Sequence, residues 1–172
     1  QRPIFESTNT DSYNWVVELE NIGESSINRS PLILARRAKI HFTGGVNKFE
    51  NTQSASDTFI NVTDIEVSGS SEVNIEKANT YIFYTAPDMP NPSININDNS
   101  YVNIKTLAGT ANVIDMRGGN AKFNLENSRL TIDAIGTTAQ PSNTSNNVIT
   151  LPGARPTVSI SGQSNLTVRS TA

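Results

Sequence analysis

The chain has 172 residues, a formal net charge of −3 and no cysteine, so neither a disulfide framework nor a cysteine-based metal site is open to it. Its single histidine, His41, excludes any site that needs two His ligands, and the acidic balance argues against nucleic acid or an anionic membrane as the main partner. Only 35% of the residues are hydrophobic and 22 are Asn, a composition that suits disorder unless some repeat aligns the few apolar side chains.

The chain opens at Gln1 on polar residues, which reads as no signal peptide at this end. It is then either cytosolic or an excised piece of a longer, processed chain. No apolar run approaches the roughly 20 residues that span a bilayer. Trp15-Val-Val17-Glu-Leu19 alternates and reads as the opening of an N-terminal coil. Next come the apolar patch Leu32-Ile33-Leu34 and the basic pair Arg36-Arg37, the latter read as a solvated corner. From there one phrase recurs: apolar, x, apolar, a turn ending in Ser, x, apolar, x, apolar. A weak copy begins at Ile40 (Ile40-His-Phe42-Thr-Gly-Gly-Val46). Full copies follow as Ile65-Glu-Val67-Ser-Gly-Ser-Ser71-Glu-Val73-Asn-Ile75 and Ile94-Asn-Ile96-Asn-Asp-Asn-Ser100-Tyr-Val102-Asn-Ile104. The next, one turn residue shorter, is Phe123-Asn-Leu125-Glu-Asn-Ser128-Arg-Leu130-Thr-Ile132, and the last is Val158-Ser-Ile160-Ser-Gly-Gln-Ser164-Asn-Leu166-Thr-Val168. The full copies start 29, 29 and 35 residues apart. Between copies lies a further apolar patch each time: Phe59-Ile60, Tyr81-Ile82-Phe83, Val113-Ile114 and Val148-Ile149.

Period-two alternation marks a strand with one buried face. Two inward residues per strand cannot hold a fold alone, but stacked copies line them up into a continuous core. The spacing predicts an all-β protein, a right-handed parallel β-helix with three sheets and about five or six coils, spanning 1–172 as a single domain. At about 4.8 Å per coil the rod is roughly 25–30 Å long. A β-sandwich also has short alternating strands, but it predicts neither a fixed 29-residue register nor a repeated corner Ser. Ser71, Ser100, Ser128 and Ser164 are expected to stack at one corner. Glu66, Asn95, Asn124 and Ser159 fall outward on one sheet, and Asn74, Asn103, Thr131 and Thr167 on the next. Asn is a poor strand former, and amide ladders between stacked Asn offset that. Residues 85–92, rich in Pro, and residues 137–147 read as protruding loops. Gly44-Gly45 and Gly118-Gly119 read as turns. Leu151-Pro152-Gly153-Ala154-Arg155 is a partial match to a sortase signal that lacks the Thr-Gly pair and reads as chance. So do the Asn-x-Ser/Thr sequons at Asn28, Asn61, Asn143 and Asn165.

Residues 31–134 carry the phrases Lys39-Ile-His-Phe-Thr-Gly-Gly-Val46, Phe59-Ile-Asn-Val62, Ile65-Glu-Val-Ser-Gly69, Tyr81-Ile-Phe83 and Ser93-Ile-Asn-Ile-Asn-Asp-Asn-Ser-Tyr-Val-Asn-Ile104. In these the chain resembles the pectate lyase-like adhesive domain of Gram-positive surface proteins, a domain often paired with a WxL cell-wall-binding domain. The resemblance implies a right-handed β-helix displayed on the bacterial cell surface or cell wall and serving adhesion. The WxL motif itself is absent, since Val-Val follows Trp15.

A β-helix also hosts polysaccharide lyases and hydrolases, whose sites need clustered carboxylates, with Ca²⁺ and a basic residue in the lyases. Asp64 with Glu66, and Asp115 with Arg117, read as exposed charges of the solvated kind. Glu76, Lys105 and Asp133 form the best ionic cluster the register offers, a cation relieving two acids in a ladder. His41 reads as an outward surface residue with no nucleophile motif beside it. The expectation is therefore no enzyme, no cofactor and no metal. Ligand contact is assigned to Tyr84, Tyr101, Asn74, Asn95, Asn103 and Asn124, with residues 85–92 beside them; Tyr13, Trp15 and Tyr81 are further aromatics for sugar stacking. The expected partner is an extracellular glycan or host protein, with no nucleic acid and no membrane insertion. The alternatives are a β-helix polysaccharide lyase or hydrolase and a trimeric phage tail-spike segment.

Overall fold

The computed structural model describes residues 14–16, 33–50, 60–78, 82–85, 87, 89–106, 113–134 and 148–170. Among them every regular element is a strand. In chain order these are β1 (Asn14–Val16), β2 (Ile33–Thr43), β3 (Val46–Glu50), β4 (Ile60–Ser68), β5 (Glu72–Ala78), β6 (Phe83–Thr85) and β7 (Ser93–Ile96). There follow β8 (Tyr101–Thr106), β9 (Ile114–Met116), β10 (Lys122–Glu126), β11 (Arg129–Ala134), β12 (Ile149–Thr150), β13 (Thr157–Ser161) and β14 (Asn165–Ser170).

All pairing is parallel, and it sorts the strands into three ladders. The recurring apolar patches form the first, where Ile33, Ile60, Phe83, Ile114 and Ile149 are register partners in turn. The first half of each repeated phrase forms the second, in the column Ile40, Ile65, Ile94, Phe123 and Val158. The second half forms the third, in the column Phe49, Ile75, Ile104, Ile132 and Val168. β2 and β4 run through the first two ladders, which therefore join as one nine-stranded sheet beside a five-stranded one. β1 adds to the second ladder with Trp15 opposite Ile40.

Side chains from the three ladders meet in one core, where Phe42, Val67, Ile75, Phe83, Ile96, Ile104 and Ile114 are buried together. Alternation places every second residue there and turns the residues between them away from it. Parallel in-register stacking needs the same residue class at the same place in each rung, and the phrase supplies it.

The corner between the second and third ladders turns through left-handed backbone. Gly44, Gly69, Asp98, Asn127 and Gly162 carry positive φ there, which Gly, Asn and Asp tolerate best. The Ser column works as expected. Ser71 N–H donates to Ser100 Oγ at 3.2 Å, Ser100 N–H to Ser128 Oγ at 3.0 Å, and Ser128 N–H to Ser164 Oγ at 3.3 Å. Each Ser carbonyl in turn accepts the next rung's N–H: Tyr101 to Ser71, Arg129 to Ser100 and Asn165 to Ser128. The first rung has Gly45 where later rungs have Ser. There Asn47, buried at a position otherwise apolar, donates to the Gly44 and Glu72 carbonyls and to Ser71 Oγ.

Residues 89–92, the described run of the Pro-rich segment, do not protrude as expected from their prolines. Met89 is 5% exposed and Pro92 is buried. The segment is the corner from the first to the second ladder, stacked on 117–121 and 151–156. Asn91 N–H donates to Gly119 O, Lys122 N–H to Pro92 O, Asn120 N–H to Ala154 O and Thr157 N–H to Ala121 O. The Leu151-Pro-Gly-Ala-Arg stretch is thus a structural corner, and Gly118 is a turn residue as expected, with φ +123°. Arg36 and Arg37 lie where β2 slips register against β4, between Ala35 and Lys39. Residues 137–147, Tyr13, Asn28, Leu32, Phe59, Tyr81 and Asn143 lie outside the described residues, as do the side chains of Trp15, Arg36, Arg37 and Asn61.

Candidate functional site

The outward columns match the sequence register residue for residue. On the second ladder, His41, Glu66, Asn95, Asn124 and Ser159 are successive partners. On the third, Asn74, Asn103, Thr131 and Thr167 are partners, beside the column Glu72, Tyr101, Arg129 and Asn165. The six ligand candidates therefore do not converge on one spot. Asn95 and Asn124 lie on the second ladder, Asn74, Asn103 and Tyr101 on the third, and Tyr84 on the first.

Among the described residues, two of the outward strand Asn, Asn74 and Asn95, make local bonds rather than amide ladders. Asn74 Nδ2 donates to Glu72 Oε1 at 2.9 Å and Asn95 Nδ2 to Ser93 Oγ at 3.3 Å, each along its own strand. A carboxylate is the stronger acceptor, which explains the choice at Asn74. The amide bond between rungs occurs at a corner instead, from Asn120 Nδ2 to Asn91 Oδ1 at 3.0 Å.

The charged groups are also rearranged. Asp64 and Glu66 share a face as expected, but Asp64 accepts from Ser93 Oγ at 2.7 Å. Glu66 lies 3.8 Å from His41 Nε2, which also bonds Ser68 Oγ. Glu76 leaves the expected trio, because β5 slips register against β8 between Ile75 and Ala78; only Lys105 and Asp133 remain partners. Asp115 is not a solvated charge but a buried one, 2% exposed. Its Oδ2 accepts from Arg117 Nε at 3.0 Å and Nη2 at 2.9 Å, a paired geometry that makes its burial tolerable. Its Oδ1, and Oγ1 of its register partner Thr150, are buried without partners among the described residues. Arg117 also sits 5.5 Å from the centroid of the Tyr84 ring. One approach to that ring is therefore taken by a cation–π contact and less open to a sugar.

Tyr101 has a different setting. It lines an open cleft of about 460 Å³ with Arg129, Thr131, Gln163, Ser164 and Asn165, spanning three successive rungs. Arg129 and Glu72 are its flanking register partners. Sequence reasoning missed Gln163 and Asn165; the signal was available, since both adjoin the corner Ser of the last rung. Among the described residues no group of three or more His, Asp and Glu is placed to hold a metal ion. Nor does any helix have the length and apolarity to cross a membrane.

Compared with protein-family models, with curated proteins and with solved structures, the chain gives no match in any of the three.

Proposed function

We propose that the chain is a non-catalytic adhesion domain of a bacterial cell surface, folded as a right-handed parallel β-helix of about five or six coils. Three parallel ladders joined rung by rung support the coil, and parallel crossovers are right-handed in nearly all folds. The phrases shared with Gram-positive adhesive domains support the location and role. In this reading residues 1–172 form one domain of a larger surface protein.

The observation that carries the reading is the pair of polar columns. Glu66, Asn95, Asn124 and Ser159, and Asn74, Asn103, Thr131 and Thr167, give two surfaces of amide and hydroxyl groups, with one carboxylate at Glu66, in fixed register. Stacked strands hold them at about 4.8 Å intervals. Such groups offer many modest hydrogen bonds to a glycan or a host protein, and many copies on one cell multiply weak contacts into firm attachment. The partner is extracellular and needs no cofactor.

The test is to present the purified chain to a glycan array and to host matrix proteins, and in parallel to incubate it with acidic polysaccharides with and without Ca²⁺. Saturable binding without product is the expected outcome. Reproducible chain cleavage replaces the reading with a β-helix lyase or hydrolase. A stable trimer in sedimentation, with no binding, replaces it with a tail-spike segment.

A further inference from the structure

We infer that the cleft beside Tyr101 is a subsite for a saccharide carrying a carboxylate. The inference rests on the adhesive reading and gives it a place and a ligand class. Three observations carry it.

The first is shape. A hollow of about 460 Å³ falls within the roughly 300–1,000 Å³ of small-ligand clefts. It is built on strands and one corner, so its walls are held by the ladder bonds and the Ser column.

The second is uncommitted chemistry. Among the described residues, the Tyr101 hydroxyl, the Arg129 guanidinium, the Thr131 hydroxyl and the Gln163 amide have no hydrogen-bond partner. Asn165 spends its Oδ1 on Thr167 and keeps its NH₂ free. Only Ser164 is fully occupied, between Ser128 N–H and the Ser161 and Leu125 carbonyls. An aromatic surface with amides and hydroxyls around it is what a sugar ring and its hydroxyls need.

The third is sign. The lining holds one cation and no acid. Glu72, the other neighbour of Tyr101, is not in the lining and accepts a bond from Asn74. Asp133, further along β11, stands between Lys105 and Arg169 in its column. One planar guanidinium suits one carboxylate, in paired fashion, better than a multiply charged phosphate that calls for several cations.

The probes are sialyllactose and a glucuronate oligosaccharide, each set against its neutral counterpart, lactose and the carboxyl-reduced oligosaccharide. The expected result is binding of at least one acidic probe and at least tenfold weaker binding of its neutral counterpart. Arg129→Ala and Tyr101→Ala each weaken the acidic probe about tenfold or more, Arg129→Lys recovers part, and Lys105→Ala on the same face leaves it unchanged. The Gln163 side-chain amide shifts in the NMR spectrum as the probe is added. Circular dichroism and thermal midpoints establish that each variant is folded. Equal binding of acidic and neutral probes, or full binding by folded Arg129→Ala, overturns the subsite and leaves adhesion standing. Binding to host protein alone, with no saccharide bound, does the same. Cleavage of a probe overturns both.

Discussion

Ser100 is bonded on both sides of its rung. Its Oγ accepts Ser71 N–H at 3.2 Å, its own N–H donates to Ser128 Oγ at 3.0 Å, and it is buried. Ser100→Ala therefore leaves a buried N–H of Ser71 unsatisfied, at about 1–3 kcal/mol. Ser159→Ala, on an exposed strand position of the last rung, is expected within about 0.5 kcal/mol of the parent. Urea midpoints of the two variants decide the matter; similar values mean the Ser column carries no weight. The column was legible in the sequence because a Ser recurs at a fixed place in each phrase. Asn47 was not, since an Asn at an inward position gives no sign that Gly45 has left the corner without a hydroxyl. The burial of Asp115 was hidden for a related reason. Alternation gives the direction a side chain points, and Asp115 alternates outward between Ile114 and Met116; it says nothing of what lies over that face.

At the scale of elements, the corners are set as tightly as the strands. A Cβ built on Gly118 would stand 2.2 Å from the Met89 carbonyl oxygen, at a φ of +123° that side chains rarely adopt. Gly119 next to it has open space. Gly118→Ala is expected to lose roughly 1–3 kcal/mol from backbone strain, with the clash added to it. Gly119→Ala is expected to stay within about 0.5 kcal/mol. Equal thermal midpoints for the pair would show that the stacked corners yield freely. Strands were legible by period two, and their register by the spacing of equivalent residues. The corners were not, because Pro and Gly strings look the same whether a loop projects or packs; the apolar Met89 was the one clue. The slip at 75–78 was equally silent, as Glu76-Lys77-Ala78 carries no alternation from which a register can be read.

For the whole molecule, position along the stack decides what a core residue is worth. Ile96, Leu125 and Ile160 occupy one column, yet the first two are fully buried and Ile160 is 49% exposed. Val158 at 57% and Val168 at 42% are open on the same last rung. Ile96→Ala and Leu125→Ala are expected to destabilise by about 2–5 kcal/mol, and Ile160→Ala by well under half as much. Equal losses in denaturant titrations at all three places would mean the last rung is as well covered as the inner ones. The candidate site was legible only in its columns, because neighbours along a column follow from spacing. A cleft depends on where side chains leave space, which spacing does not encode. The register has one more consequence, for how such a chain can change over time. An extra residue inside a strand reverses the facing of all that follow it in that strand and sends core residues outward. The corner at Asn127, by contrast, is one residue shorter than its neighbour at Asp98 and Asn99, and the columns on both sides stay aligned. Insertions and deletions are thus channelled to the edges where ladders meet. The contact surface can drift in sequence and length there while the buried columns stay as they are.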